Sequence, residues 1–350
     1  MNRQSKLAAL LPTFSACILV FLFAVAAKAQ TPQIPPQIPP QISMTDRLRL
    51  AEAFRLSDQL SEQVWPGWRK APFAVLLLTG DYEFLLRHPQ PSDDFTAAGD
   101  DALMKSKVYY RKRTFSPNLL ATLFVAGLPT IVIGQAENTA AKTSTPWVVT
   151  LLHEHFHQLQ YGQPDYQAGV KALNLSHGDQ TGMWMLNYPF AYQSEDVNKA
   201  YAVMCQRLLD ALDDKSATPF AEQLAAYLEA RKRFQQLLSE DDYKYFGFQL
   251  WQEGLARYTE YRLARLAAAR YKPTSAFRAL KDFTPFAEVA AKTLAGIKAE
   301  LAKPALAAHQ REVVYGFGAA EALLLDRVNP QWQRRYLTEK FQTASYFARQ

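Results

Sequence analysis

Hydrophobic positions along the chain follow two different periods. Strand-length apolar segments occur in the first half, at residues 71–79, 107–113 and 128–133. After residue 146, apolar side chains recur at helical spacing, in the segments 200–212, 219–238, 243–271, 286–301 and 316–327. One earlier helix is predicted over 47–63. Strands followed by a run of helices predict an α+β fold rather than a doubly wound parallel sheet.

The first 29 residues have the pattern of a secretory signal. Arg3 and Lys6 precede an unbroken apolar run at 17–27, and Ala27-Lys28-Ala29 supplies a small-x-small cleavage sequence. The run is shorter than the roughly 20 residues of a membrane-spanning helix. We therefore expect residues 1–29 to be a signal peptide and the protein to be exported, periplasmic or secreted, with no stable membrane insertion after cleavage. An uncleaved anchor is the alternative.

Residues 30–45 contain a repeated Pro-Gln-Ile-Pro sequence, which favours an extended polyproline spacer. The predicted folded domain follows at 46–350, with an α+β subdomain at 46–163 and a helical subdomain at 164–350. Removal of the signal leaves Cys205 as the remaining cysteine, so this domain has to fold without an internal disulfide.

Composition and charge narrow the range of functions. The 350 residues are 49% hydrophobic and 21% charged, which is ordinary for a globular protein. Three of the 39 basic residues lie in the signal, so residues 30–350 carry 36 bases against 33 acids. A balance this close to neutral predicts no nucleic-acid partner.

The segment 146–162 contains the sequence His-Glu-His-Phe-His and is predicted to form one helix. His153 and His157 are one helical turn apart, so both imidazoles can bind the same metal ion. Glu154 is displaced around the helix and can act on a water molecule as a base. This HExxH spacing is typical of zinc hydrolases and predicts one Zn²⁺ per chain.

The surroundings of the motif support this interpretation. No lysine or arginine occurs between residues 146 and 162, and most positions that flank the histidines are apolar. Buried histidines beside a buried glutamate need a partner, which a metal ion provides. His155 lies on a different face of the helix and is predicted to be packed or hydrogen-bonded rather than a ligand.

A catalytic zinc takes three protein ligands, so a third has to come from elsewhere in the chain. Gln160 and Gln163 stand where a metzincin has glycine and histidine, and the first glutamate after His157 is Glu195, too distant for a thermolysin-type spacing. The better candidate is Glu253.

Small residues follow Glu253 within a helical segment. Gly254 and Ala256 allow a neighbouring helix to approach closely, as a ligand helix requires. His177 and Asp179 remain the alternative third ligands.

The HEHFH and EGLARY segments together resemble the gluzincin-type zinc metallopeptidases. The resemblance implies a zincin-like fold, with a small mixed sheet packed on the HExxH helix and a helical subdomain after it. It implies zinc ligation by His153, His157 and Glu253, and a general-base role for Glu154. The two segments cover about thirty residues, and the first is the more specific.

Two departures from the family pattern stand out. Residues 157 and 253 are 96 positions apart, so an inserted helical hairpin is expected between the ligand helices. Arg257 replaces the acid that usually follows the ligand glutamate by four residues. Glu260, nearly one further turn along, returns to the face of Glu253 and is a candidate partner for a zinc-binding histidine.

These features predict a zinc metallopeptidase that acts on a peptide or protein substrate. Zinc would activate a water molecule, Glu154 would accept its proton, and Tyr315 would stabilise the oxyanion, with His309 as the alternative. The segment 128–134 is predicted to be an edge strand that can pair with a peptide. A catalytically silent zinc-binding protein and a zinc amidase acting on cell-wall peptides are the alternative functions.

Overall fold

The computed structural model describes residues 39–213 and 215–348. The predicted signal peptide and residues 30–38 of the predicted linker lie outside the described residues. The first helix, α1, spans Met44–Val64 and is capped by the Ser43 side chain, which accepts a hydrogen bond from the backbone N–H of Asp46. Within the described part of the chain, no helix combines the length and the apolar character that crossing a membrane requires.

A six-stranded sheet follows α1, in the spatial order β3-β4-β2-β1-β6-β5. Its strands are β1 Val75–Leu78, β2 Tyr82–Leu86, β3 Thr96–Asp101, β4 Ser106–Lys112, β5 Leu120–Val125 and β6 Leu128–Gly134. Strands β1 and β6 are parallel, and every other neighbouring pair is antiparallel. The sheet is therefore mixed and is followed by helices, which confirms the predicted α+β class.

The prediction that residues 128–134 form an edge strand is wrong. Strand β6 lies between β1 and β5, and β5 is the outermost strand on that side. All but the first residue of β6 are buried, and a continuous apolar run of this kind is typical of an interior strand. The β5–β6 hairpin turns at Ala126 and Gly127, whose φ angles are both positive.

The helical region begins with α2, the helix that carries the HExxH motif. The helices are α2 Ser144–Tyr161, α3 Tyr166–Ala172, α4 Trp184–Asn187, α5 Glu195–Ala211, α6 Phe220–Gln236, α7 Glu240–Gln249, α8 Leu255–Arg270, α9 Ser275–Arg278, α10 Phe286–Ala302, α11 Leu306–His309, α12 Val313–Val328 and α13 Gln333–Tyr336. Helix α2 packs between strands β5 and β6 on one side and α1 and α8 on another. Helices α5 and α6 pack together, and they form the expected hairpin between α2 and α8.

The N-terminus of α2 is anchored by a carboxylate from a distant part of the chain. Asp282 accepts hydrogen bonds from the backbone N–H and the hydroxyl of Ser144, at 2.9 and 2.7 Å. Arg49 bridges Asp282 and the Ser144 hydroxyl. A negative charge at a helix N-terminus is stabilising, so Asp282 serves as the capping residue of α2. The helix begins at Ser144, two residues before the predicted start at residue 146.

The predicted helix over 243–271 contains an irregularity. Helices α7 and α8 are joined by a π-helical turn at Leu250–Gly254, and Glu253 lies within it. Single π turns inside α-helices are frequent at functional sites because they shift the direction of side chains. Opposite this turn, α12 approaches closely: a Cβ atom on Gly254 would lie 2.6 Å from the Cα atom of Gly318. The small residues thus admit α12, the helix that carries Tyr315.

Candidate metal centre

The structure brings the three predicted ligand residues together. The Nε2 atoms of His153 and His157 are 3.1 Å apart, and Oε2 of Glu253 lies 3.7 Å from the first and 3.4 Å from the second. Ligand atoms around a tetrahedral zinc are about 3.3 Å apart, given zinc–ligand bonds near 2 Å. Both histidines are buried, and the Glu253 side chain retains 17% of its exposure. The spacing therefore fits a small divalent cation.

The hydrogen bond made by His153 determines which of its ring nitrogens carries the proton. Its Nδ1 atom lies 2.6 Å from Oε1 of Glu260, and an ionised carboxylate can only accept. The Nδ1–H of His153 therefore donates to Glu260, which leaves Nε2 as the ring nitrogen that faces the site. Arg257 donates to the other carboxylate oxygen of Glu260 at 2.8 Å and holds the group in place.

A neighbouring amide orients His157 in the same way. The amide nitrogen of Gln160 donates to the backbone oxygens of Trp251 and Gln252, at 3.0 and 3.1 Å, which directs its Oε1 towards Nδ1 of His157 at 2.6 Å. The side-chain amide of Gln252 also lies 3.2 Å from Nδ1 of His157. The other end of that amide contacts the Tyr166 hydroxyl, which can donate or accept and therefore does not fix which way the amide is turned. The shorter contact, from Gln160, fixes the tautomer, because the carbonyls that orient the Gln160 amide can only accept. The proton of His157 is therefore on Nδ1, and its Nε2 presents a lone pair to the site.

Two imidazole Nε2 atoms and a carboxylate oxygen thus face one another, an arrangement that a positive charge stabilises, whether it is a proton on His153 or a metal ion in its place. Burial alone would lower the pKa of His153, but the carboxylates of Glu253 and Glu260 outweigh burial and raise that pKa to about 10. Burial would raise the pKa of Glu253, but the two histidines lower it well below its usual value. The electrostatic field at this point favours a bound cation.

Glu154 lies beside the two histidines. One ligand-type atom from each of His153, Glu154 and His157 falls within 4.8 Å of the others. The Thr122 hydroxyl donates to Glu154, with Oγ1 at 2.8 Å from Oε2 and 3.0 Å from the backbone oxygen. No residue of the described chain hydrogen-bonds the second carboxylate oxygen, Oε1. Glu154 is thus held by one oxygen and has the other available for a proton.

Two tyrosine rings flank the histidines. Tyr315 stacks beside His153 with the ring centroids 6.3 Å apart, and Tyr161 stacks beside His157 at 6.0 Å. Burial and then the negative charge of Glu253 raise the pKa of both tyrosines, so both hydroxyls stay protonated at neutral pH. The sequence identified Tyr315 and missed Tyr161, although Tyr161 follows His157 by four residues and shares its helix face.

Arg311 also reaches the site and was not predicted. Its Nη1 atom lies 3.6 Å from Oε1 of Glu253 and donates to the Tyr315 hydroxyl at 3.4 Å. Arg311 precedes Tyr315 by one helical turn, and that spacing is the signal that would have found it. Thr122 lies on β5, and nothing in the sequence connects this residue to the motif helix.

The remaining candidates lie elsewhere. Asp179 accepts hydrogen bonds from the backbone of Thr181 and Trp184 in an exposed loop, and neither Asp179 nor the exposed His177 is part of the cluster. His309 is exposed and is not part of the cluster, although it lines a cavity of about 420 Å³ that Arg257 and Tyr315 also line. His155 stacks on Phe73 at a centroid distance of 3.9 Å, and it is packed in the core as predicted.

No family model, no curated protein and no solved structure matches this chain. The conclusion about the site therefore comes from its own geometry. A buried group of His153, Glu154 and His157, with HExxH spacing, is compatible with a metal site.

Proposed function

We propose that this protein is a zinc-dependent metallopeptidase of the gluzincin type. The observation that carries the proposal is the convergence of His153, His157 and Glu253 on one point with Glu154 beside it. Two imidazoles and a carboxylate are the donor set of a catalytic zinc, which leaves a further position for water. A purely structural site would have no use for Glu154.

Each surrounding residue has a defined part in the proposed reaction. Zinc, when bound by His153, His157 and Glu253, would supply Lewis acidity and lower the pKa of a water molecule. Glu154 would take the proton of the attacking water and deliver it to the leaving amine. The Tyr315 hydroxyl, protonated at neutral pH, would donate a hydrogen bond to the developing oxyanion.

Strand β5 provides a place for an extended peptide. It is the outermost strand of the sheet, and its residue Thr122 donates a hydrogen bond to Glu154. Phe124, on the same strand, is 54% exposed and stacks on Tyr161. A peptide that pairs with β5 as an added strand would therefore lie beside the proposed base. This strand takes the role that the sequence assigned to residues 128–134.

The proposal includes export of the protein. The sequence of residues 1–29 favours a cleaved signal peptide, and Cys205 is a buried free thiol. The mature protein would then act in the periplasm or outside the cell, on peptide or protein substrates, with no nucleic-acid partner.

The test is hydrolysis of a degenerate peptide mixture by the zinc-loaded protein, followed by mass spectrometry. We expect cleavage by the wild type and by Glu229→Gln, which removes an exposed carboxylate on α6. Glu154→Gln is expected to bind zinc but to lose at least about 100-fold in rate. Zinc binding without any cleavage of peptides would favour a silent binding protein, and cleavage of cell-wall fragments alone would favour the amidase.

A further inference from the structure

Arg311 lies next to the proposed zinc ligand Glu253 and makes no short polar contact within the described part of the chain. Its contacts to Tyr315, Glu253 and Glu312 are 3.4, 3.6 and 3.7 Å long. Strong charge-assisted hydrogen bonds are about 2.7–2.9 Å long. The buried Arg231, in contrast, donates to Glu321 at 2.6 Å. The guanidinium of Arg311 therefore keeps donors available for another acceptor.

The backbone before Arg311 is strained. Gln310 has φ 47° and ψ −125°, a combination that side chains other than glycine rarely adopt. This residue joins the short helix α11 to the turn that presents Arg311. Such strain persists where the surrounding structure holds it in place, and it is concentrated at ligand-binding sites.

The balance of charge at the site indicates which kind of chemical group Arg311 can bind. The carboxylates of Glu154, Glu253 and Glu260 contribute three formal negative charges at the site. The guanidinium groups of Arg257 and Arg311 contribute two positive charges. Glu300 and Glu312, the other carboxylates near these arginines, are exposed, and solvent screens their charges. A divalent cation turns the single negative charge of the remaining groups into a single positive charge, which one anionic group on the substrate would neutralise.

We propose that Arg311 binds the free C-terminal carboxylate of the peptide substrate. This inference rests on the proposed peptidase function and specifies its substrate class as peptides with a nearby C-terminus. The planar fork of arginine matches a carboxylate with two parallel hydrogen bonds. Arg311 contacts Oε1 of Glu253, whereas Oε2 of Glu253 faces the histidines, so the guanidinium lies beyond the ligand carboxylate. That position suits a group some distance from the scissile bond.

The test compares two peptide mixtures of identical composition, one with free C-terminal carboxylates and one with C-terminal amides. Equilibrium binding is measured by calorimetry on zinc-loaded Glu154→Gln protein, which leaves the peptides intact. We expect the free acids to bind roughly 10- to 100-fold more tightly than the amides. Adding Arg311→Met should remove this preference, and Arg311→Lys, which keeps the charge but not the fork, should retain part of it.

Arg265→Met is the matched control because it removes an exposed arginine from α8. It should leave the preference unchanged, and zinc content should remain at one per chain in all variants. Equal binding of acids and amides, or binding of neither, would overturn the proposal. An Arg311→Met variant that lost zinc, or that weakened both mixtures equally, would also overturn it, since Arg311 would then position Glu253 or stabilise the oxyanion.

Hydrolysis of the same mixtures by the wild type separates this inference from the proposed function. Cleavage at equal rates would leave a peptidase without a carboxylate-binding arginine. Selective binding of the free acids without any cleavage would leave the carboxylate site and contradict the peptidase.

Discussion

Oε1 of Glu260 lies 2.6 Å from Nδ1 of His153, and this contact determines the form in which the imidazole meets a metal ion. Burial would raise the pKa of Glu260, but Arg257 and His153 outweigh burial and lower it. The carboxylate is thus ionised and accepts the Nδ1–H of His153. Arg257, which stands where the resembled family has an acid, acts together with His153 to keep Glu260 charged.

Replacing Glu260 should weaken metal binding without abolishing it. We expect Glu260→Gln to lower zinc affinity about 10- to 100-fold, because an amide is a weaker and rotatable acceptor for the His153 N–H. Competition with a chromogenic chelator measures this change. Glu229→Gln, an exposed helix acid, should bind zinc like the wild type, and equal affinities in the two variants would show that Glu260 does not tune the site.

His155 should make stability depend on pH. Burial lowers its pKa to about 3, so the imidazole stays neutral in the folded chain down to that pH. In the unfolded chain it becomes protonated as the pH falls below about 6.5. The unfolded chain therefore binds more protons between these values. The stability that neutral His155 contributes is fully present above pH 6.5 and is lost as the pH falls towards 3.

The matched variant is His155→Phe, which can keep the stack on Phe73 but cannot titrate. Relative to this variant, the wild type should lose about 2 kcal/mol of unfolding free energy between pH 7 and pH 5. Denaturant unfolding at both pH values measures the difference. A constant difference would mean that His155 is accessible to protons in the folded protein.

The close packing of α12 against Gly254 leaves no room for a methyl group. A Cβ atom there would lie 2.6 Å from Gly318 Cα and 2.9 Å from the Val314 carbonyl oxygen, so Gly254→Ala should destabilise the protein by about 1–3 kcal/mol. It should also weaken zinc binding, since Glu253 is the preceding residue. Gly296→Ala is the control: in the described chain, no atom outside the adjoining backbone of α10 lies within 4 Å of its Cβ position, and the change should stabilise by about 0.5–1 kcal/mol. Thermal unfolding measures the change in stability of both variants relative to the wild type.

Tyr315→Phe should lower kcat about 10- to 100-fold with little change in KM, because the lost hydrogen bond is made mainly in the transition state. Steady-state kinetics on one cleaved peptide provides the measurement. Tyr161→Phe, on the opposite flank of the histidines, is the comparison. A normal kcat in the Tyr315 variant and a reduced one in the Tyr161 variant would transfer the role to Tyr161.

The sequence predicts the parts of the site that depend on local spacing. His153 and His157 follow from helical periodicity, and the class of fold follows from the order of strands and helices. Glu253 and Glu260 were found because they lie on one helical segment with small neighbours. The π turn that carries Glu253 was missed, since its formation depends on packing against α12.

The sequence carries no signal for side-chain contacts between residues that are far apart in the chain. Thr122 contacts Glu154 across 32 positions of the chain, and Asp282 caps α2 from 138 positions beyond Ser144. Strands β2, β3 and β5 were not predicted at all. Their order in the sheet, and hence which strand is outermost, is set by tertiary pairing rather than by propensity.

We propose that one metal ion is held by His153, His157 and Glu253. Elemental mass spectrometry of residues 30–350, after zinc loading and exhaustive dialysis, tests it directly. We expect about one zinc per chain in the wild type and in Glu154→Gln, and far less than one in His157→Ala and Glu253→Ala. An empty wild type, or full zinc content in both of the ligand variants, would contradict this assignment of the metal ligands.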